Sequence, residues 1–568
     1  MIEKRSWSIA LSVVLIVFSF ASWLSVGYLN LGALILVWIL LVLAGIAMIN
    51  AAVPFSGKVQ DIIVYSSIFI SLLLIVFISK TFVSSYYGED EIAIQKYAAS
   101  IFLQGKDPYI KSNMIGLFNH YNVPLFETPM LTGGNVYYLL YPGLSVLLVI
   151  PSVLFRFSVD YVIVFFEFLA LLLLIYYYKK NGMKLQSPLI MLVIMVFGFY
   201  IGFTVTGVTS IIWVFFLAAA YVFRKRPYIA GMFYGLSIGY KQNAIIIIPF
   251  LLYFLYKEYG RGNAIRFTFL AVVSFLAVNL PFIIMGPYAW LSSIISIGNQ
   301  GIIGVSTGPS ILSFAGFVNV SPVYFSVLVV IVTVFLLYVY IAYYESFKYA
   351  FFAFPIFIML VNYRLMISYL MYWPYLVILI FPDLKRDMPK LKRVRINKTA
   401  FAVLAVVLIV VTSSFVITSS QSAQPLKIED VGQYEDNISV PGMISAMNVS
   451  LYYSPTNGES YSLPVNFRIF LNEGLKNFNS NSLLWHADTN IIPGRNNVTI
   501  YPNNYFDILP DNVSFRIEAY YSSFSSYFNC AGAWVKPEYP IENPGMMYPS
   551  YIKDNPFPGW YFESESGN

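Results

Sequence analysis

From residue 7 to residue 418 the chain returns repeatedly to apolar runs of about 20 residues, the length that spans the hydrocarbon core of a bilayer. This constrains the fold more than any motif does. Hydrophobic residues make up 58% of the chain and charged residues only 11%, whereas soluble domains carry about 25% charged residues. So little charge cannot cover a water-facing surface all round. A soluble enzyme, a disordered chain and a nucleic-acid binder are therefore excluded as readings of the whole protein. Cys530 is the one cysteine, which excludes a disulfide framework within the chain and a Cys-based zinc site.

The sites of Lys and Arg orient the runs, because these residues collect on the cytoplasmic side. Glu3, Lys4 and Arg5 precede the first run, so the N-terminus is expected inside. Runs at 7–27, 31–53 and 61–82 follow, and the polar stretch 83–137 is expected as the first large outer loop. Pro142, Gly143 and Pro151 interrupt the run 138–156. It is expected to re-enter or lie along the membrane, since a full crossing would carry Lys179, Lys180 and Lys184 outside. Further spans are expected at 160–178, 187–203, 206–223, 228–240, 243–256, 267–286, 322–345, 349–361, 368–382 and 399–418, with 287–321 as a second outer loop. Lys241 and Arg364 then fall at outer turns, while Arg224-Lys225-Arg226, Lys348 and the basic segment 385–398 fall inside. The count is about thirteen spans by the length criterion, an odd number that puts the C-terminus outside.

Charge marks a second unit. Residues 420–568 hold seven Lys+Arg against fifteen Asp+Glu, a net −8, and the rest of the chain is +14. The expected organisation is a multi-span membrane domain over 1–419 and an extracytoplasmic, acidic, β-rich domain over 420–568. The runs starting at Val449, Val465, Val498 and Val513 alternate apolar with polar residues between turn-forming residues, the pattern of a small β-sandwich. N-x-[S/T] sequons at Asn437, Asn448, Asn497 and Asn512 are glycosylation candidates, and they fit a translocated tail. The fold class expected is an all-α polytopic membrane protein with a C-terminal β-sandwich-like domain.

Ionisable groups near a bilayer are costly and mark function. Glu89, Asp90 and Glu91 stand just after the third run. At a helix start they favour the helix dipole; equally, such a carboxylate can serve as general base toward a hydroxyl or hold a divalent ion such as Mg or Mn. Lys241 interrupts two apolar half-helices, where an ammonium and a helix start together attract an anion. A snorkelling lysine is the plain alternative. Arg364, in a short turn before Tyr369 and Tyr372, offers a planar guanidinium suited to phosphate. His120 and His486 lack partners at ligand spacing, so no metal is assigned to them. No P-loop or G-x-G-x-x-G stands in a strand–helix context. Outer carboxylates with two outer cations match what transfer from a lipid-linked phosphate requires: a base for the acceptor, and positive charge for the leaving group.

The run GEDEIAIQKYAASIFLQGKDPY (88–109), followed by YYLLYP (137–142), resembles the first outer loop of the GT-C glycosyltransferases. Within them it is most similar to the polyprenol-phosphate-mannose-dependent mannosyltransferases. Acids open the loop, Ala98 and Ala99 supply the small residues, Gly105 to Tyr109 supply Gly-x-x-Pro-Tyr, and Tyr141-Pro142 closes it. GMFYGLSIGYKQNAIIIIPFLLYFL (231–255), NLPF (279–282) and RLMISYLMYWPYLVIL (364–379) resemble later helices of that family. The chain departs from the family's Asp-x-Asp by offering Glu89-x-Glu91 around Asp90. The resemblance implies an inverting transfer of a hexose, mannose first, from a polyprenyl-phosphate sugar to a lipid-linked or cell-surface hydroxyl on the outer face, with no nucleotide and no nucleic acid involved. It implies Asp90 as base, Glu89 or Glu91 as helper or metal contact, Lys241 and Arg364 at the donor phosphate, and Tyr109 and Tyr141 against sugar or lipid. The competing expectation is a polytopic transporter or lipid flippase carrying a surface β-domain. That reading predicts charges at mid-membrane depth around a through-pathway.

Overall fold

The computed structural model describes residues 2–26, 31–53, 55–82, 90–121, 128–182, 207–295, 302, 308–310, 322–365, 367–387, 398–421, 425–437, 440–455, 461–471, 483–503, 507–510, 513–522 and 524–530. The protein is mostly helical, with an antiparallel sheet at its C-terminal end. Among the described residues, Leu31–Ala52, Gly57–Leu74, Asp160–Lys180, Arg261–Met285, Pro322–Ala342 and Lys398–Ile417 are six stretches long and apolar enough to cross a membrane. The expected run 187–203 lies outside the described residues.

The helices are α1 (Ile2–Val26), α2 (Leu31–Ala52), α3 (Gly57–Phe82), α4 (Asp90–Leu103), α5 (Lys111–Met114), α6 (Leu117–His120), α7 (Leu144–Leu147), α8 (Ile150–Leu154), α9 (Asp160–Lys180), α10 (Ser210–Val222), α11 (Pro227–Tyr240), α12 (Ile248–Tyr259), α13 (Arg261–Met285), α14 (Pro287–Ile295), α15 (Pro322–Ala342), α16 (Tyr344–Phe347), α17 (Phe354–Leu360), α18 (Trp373–Asp387) and α19 (Lys398–Gln421). The interrupted run 138–156 contains only α7 and α8, two short turns, as its prolines require. Other runs are shorter than a full crossing. The run 349–361 becomes a 3₁₀ turn and the seven-residue α17, and 368–382 becomes a 3₁₀ turn and the 15-residue α18. Their apolar side chains pack into protein: Phe351, Phe352, Tyr375, Leu376 and Leu379 are all fully buried.

α11 and α13 pack closely because α11 presents Gly231, Gly235 and Gly239 at four-residue spacing. A Cβ at Gly231 would run into the Phe267 carbonyl, and one at Gly235 into the Ala271 carbonyl. Small residues at this spacing let backbones touch. We expect Gly235→Val to force α11 off α13 and to destabilise the protein by about 1–3 kcal/mol, the usual cost of overpacking. Thermal unfolding in detergent checks this; an unchanged melting temperature would mean the contact is slack. A second tie is Asn279 of α13, whose Oδ1 accepts from Gly143 N–H at 2.7 Å and from Trp290 Nε1 at 2.9 Å. It pins the Tyr141–Gly143 turn to the same helix.

The sheet holds β1 (Leu426–Asn437), β2 (Val440–Tyr453), β3 (Asn466–Leu471), β4 (Leu483–Ala487), β5 (Gly494–Pro502), β6 (Leu509–Pro510), β7 (Phe515–Tyr521) and β8 (Phe524–Cys530). Strand order is β1-β2-β5-β4-β3-β7-β8, with β6 pairing β2. This is one continuous ladder rolled toward closure, not the two stacked layers that alternation suggested: Ile428 N–H of β1 donates to Ser526 Oγ of β8 at 2.9 Å. Its inside is filled by Trp485, Phe467, Phe515, Ile517 and Val449.

Candidate functional site

Asp90 and Glu91 open α4, where carboxylates meet the positive end of the helix dipole. Glu91 turns inward and is buried. Its two oxygens receive Lys241 Nζ at 3.0 and 2.9 Å. Thr209 donates its hydroxyl to the same carboxylate, and Gln95 Nε2 donates at 3.2 Å. Gln95 Oε1 in turn accepts from Tyr240 at 3.2 Å. Lys241 sits in extended backbone between α11 and a 3₁₀ turn, Gln242–Ile247. The Gly-packed α11 thus delivers the ammonium to its partner. Lys241 Nζ also lies 5.2 Å from the Tyr141 ring centroid and 5.6 Å from that of Tyr369.

Asp90 is partly buried. Its Oδ2 accepts from the backbone N–H of Thr128 at 2.8 Å. Arg364 Nη2 donates to Thr128 Oγ1 at 3.3 Å, so one threonine stands between the acid and the guanidinium. Burial raises the Asp90 carboxyl above its ordinary value, opposed by the Thr128 hydrogen bonds and the nearby Arg364 charge. Tyr141 stays a neutral phenol, pushed well up by burial and by the neighbouring Glu91.

Four segments distant in sequence therefore bring Asp90, Glu91, Lys241, Arg364 and Tyr141 together. Sequence reasoning picked all five, but two roles change. Glu91 is the partner of a buried ammonium and not a spare acid, and Lys241 is correspondingly not a bare cation waiting for phosphate. Tyr109 is also reassigned: it is buried at 3% exposure and donates its hydroxyl to the Tyr141 carbonyl at 2.7 Å, so it shapes the loop and has no face for a sugar. Glu89 lies outside the described residues. Thr128, Thr209, Gln95 and Tyr240 were missed, and Tyr369 was noted only as a neighbour of Arg364, because neutral polar and aromatic residues carry no distinguishing signal in such a chain.

Asp90 and Glu91 turn to different partners, Thr128 and Lys241. The ammonium that fills Glu91 repels a divalent ion beside it, and among the described residues no group of three His, Cys, Asp or Glu could hold a metal.

The sequons have a structural use. Across β2 and β5, Thr499 Oγ1 donates to Asn448 Oδ1 at 2.8 Å and Ser450 Oγ donates to Asn497 Oδ1 at 2.7 Å. Each sequon's hydroxyl thus holds the other's asparagine in a cross-strand ladder. Asn437 ends β1, and Asn512 lies outside the described residues.

A second charged cluster ties α9, α10 and α18. Asp383 Oδ2 accepts from Arg224 Nη2 at 2.8 Å and Tyr221 at 2.6 Å, and also from Tyr177. Lys348 nearby bridges Glu258 and Asp387 at 2.6 and 3.1 Å. Thr209 directly precedes α10 and Tyr221 lies near its other end. The two clusters are thus separated by about 18 Å of helix at ~1.5 Å per residue.

No protein-family model, curated protein or solved structure matches the chain.

Proposed function

We propose that this protein is a multi-pass membrane glycosyltransferase. It moves a hexose, with mannose as the first candidate, from a polyprenyl-phosphate sugar to an acceptor hydroxyl on the extracytoplasmic face, inverting the anomeric centre. The observation that carries this reading is the convergence of Asp90, Arg364, Lys241 and Glu91 beside Tyr141, in a chain where charge is scarce.

In the reaction, the acceptor oxygen attacks the anomeric carbon and its proton passes to Asp90. The bond from that carbon to the phosphate oxygen breaks, and polyprenyl phosphate leaves with one more negative charge than it had in the donor. Among the described residues the cluster is formally neutral while Asp90 is ionised, two anions against two cations. When Asp90 takes the proton the cluster becomes +1, at the moment the leaving phosphate becomes more negative. Charge is thus compensated locally, where low polarity makes it count most. Tyr141 and Tyr369 flank Lys241 and offer ring surface to a sugar. Under this reading the N-terminus is cytoplasmic, the sheet domain is outside, and the shorter helices line a membrane-embedded core.

The test is transfer by the purified full chain in detergent. Polyprenyl-phosphate mannose and polyprenyl-phosphate glucose are offered with lipid-linked glycan acceptors. The expected result is glycosylated acceptor of inverted configuration, with stoichiometric polyprenyl phosphate. Movement of an intact lipid-linked sugar across reconstituted vesicles, without transfer, would instead establish a flippase.

A further inference from the structure

We propose that the C-terminal sheet domain holds the active-site base in place, with Thr128 as the positioning residue and Leu131 as the docking anchor. This rests on the assignment of Asp90 as the base.

One face of the sheet, made by β3 and β7, ought to be wet. Along β3 and β7, Phe467, Ile469, Phe515, Ile517 and Ala519 point into the domain's own core. The opposite face carries Asn466, Arg468 and Phe470 beside Glu518 and Tyr520, and these are also buried, at 8, 5, 8, 2 and 4% exposure. Arg468 pairs with Glu518 there at 2.5 Å, and Tyr527 donates to Glu518 at 2.7 Å. A buried ion pair is costly unless further hydrogen bonds complete it, so this face is finished for an interface and not for solvent.

Its cover comes from the first large loop. Leu131 packs with Phe470 and Tyr520, and its carbonyl accepts the Ser522 N–H at 2.9 Å. Gly133, at φ +94, lies so close to Asn466 that a Cβ would stand 3.0 Å from its Nδ2. Leu131 belongs to a tight hairpin: Val136 N–H donates to the Thr128 carbonyl at 2.8 Å and Met130 N–H to the Gly134 carbonyl at 2.9 Å. Met130 also forms a bridge with Ile302 of the second large loop. The base of this hairpin is Thr128, which holds Asp90 through its backbone and meets Arg364 through its hydroxyl. One rigid turn therefore joins the sheet domain to the acid.

The groups facing Asp90 are Glu91 on its own helix, Arg364 before α18 and Tyr141 before α7, with Thr128 between. Of these the hairpin moves Thr128, whose bonds lower the Asp90 value. Undocking should leave the acid less well held and harder to ionise.

The experiment compares the full chain with Leu131→Asp, the milder Leu131→Ala, and the control Tyr452→Ser on an exposed β2 position. Amide exchange is followed over 128–136 and 515–522, and transfer is followed against pH. In Leu131→Asp, exchange should accelerate in both segments, kcat should fall about 10- to 100-fold, as misplacement of a catalytic group does, donor KM should hold, and the acid limb of the pH profile should move upward. Leu131→Ala should move the same way by less, and it decides the matter if the Asp variant does not fold. Faster exchange over 515–522 with 128–136 still protected and the pH profile unmoved would overturn the coupling. If the native chain transfers no sugar, the enzyme reading fails, and exchange at 128–136 alone then decides whether the domain holds the hairpin.

Discussion

Asp90→Asn should lower sugar transfer by at least about 100-fold, the lower range for loss of a general base, while raising the stability of the chain at neutral pH. Asparagine keeps an oxygen for the Thr128 N–H but cannot take a proton from the acceptor. The stability effect follows from the direction of the Asp90 shift. The folded chain binds this proton more tightly than the unfolded chain does, because burial raises the carboxyl above its ordinary value. The stabilising contribution is complete below the ordinary value and is lost as pH rises through the raised one. At neutral pH the native chain carries a destabilising ionised Asp90, and the variant does not. Melting temperatures in detergent should therefore favour the variant at pH 7 and converge with the native chain in acid. The native transfer rate should show an acid limb above the ordinary carboxylate value, since only the ionised form is a base. A variant that transfers sugar normally would remove Asp90 from the mechanism.

The second large effect is expected at the Lys241–Glu91 pair. Lys241→Met leaves Glu91 buried with only Thr209 and Gln95 as partners, and breaking one side of a buried pair costs about 3–5 kcal/mol. The single variant should express poorly or melt far below the native chain. The double variant Lys241→Met with Glu91→Met removes both charges and should regain most of the stability, because buried pairs are often matched by apolar side chains of similar size. Transfer separates the two roles of the lysine. If Lys241 also faces the leaving phosphate, the double variant folds but stays inactive. A double variant that folds and transfers sugar would make the pair a structural device only.

How far the sequence could be read follows from the same physics. Charge is expensive in an apolar chain, so Asp90, Glu91, Lys241 and Arg364 stood out individually, and the start of α4 at Asp90 was legible from the acids themselves. Their partnership was not: Lys241 and Glu91 are 150 residues apart, and no local pattern distinguishes a lysine that awaits a phosphate from one that already holds a carboxylate. Tyr109 failed for a related reason, since a buried tyrosine and a sugar-stacking one look alike until the Tyr141 carbonyl is seen to receive its hydroxyl. Hydropathy also cannot tell lipid from protein as the apolar surrounding. The run 349–361 therefore read as a span although it folds into a 3₁₀ turn and α17 against Tyr340 and Phe250. In the sheet domain, alternation located β2, β3, β5 and β7. The polar β1 and the rolled strand order escaped it, because order is decided by which edges meet and not by any strand's own pattern.

One feature bears on how such a protein can move. α10 is bonded at one end through Thr209 to the Glu91 carboxylate and near the other through Tyr221 to Asp383. A strut fastened at both ends cannot slide along its axis without breaking both fastenings at once. Any displacement of α10 along its axis is therefore felt at Glu91 and at Asp383 together.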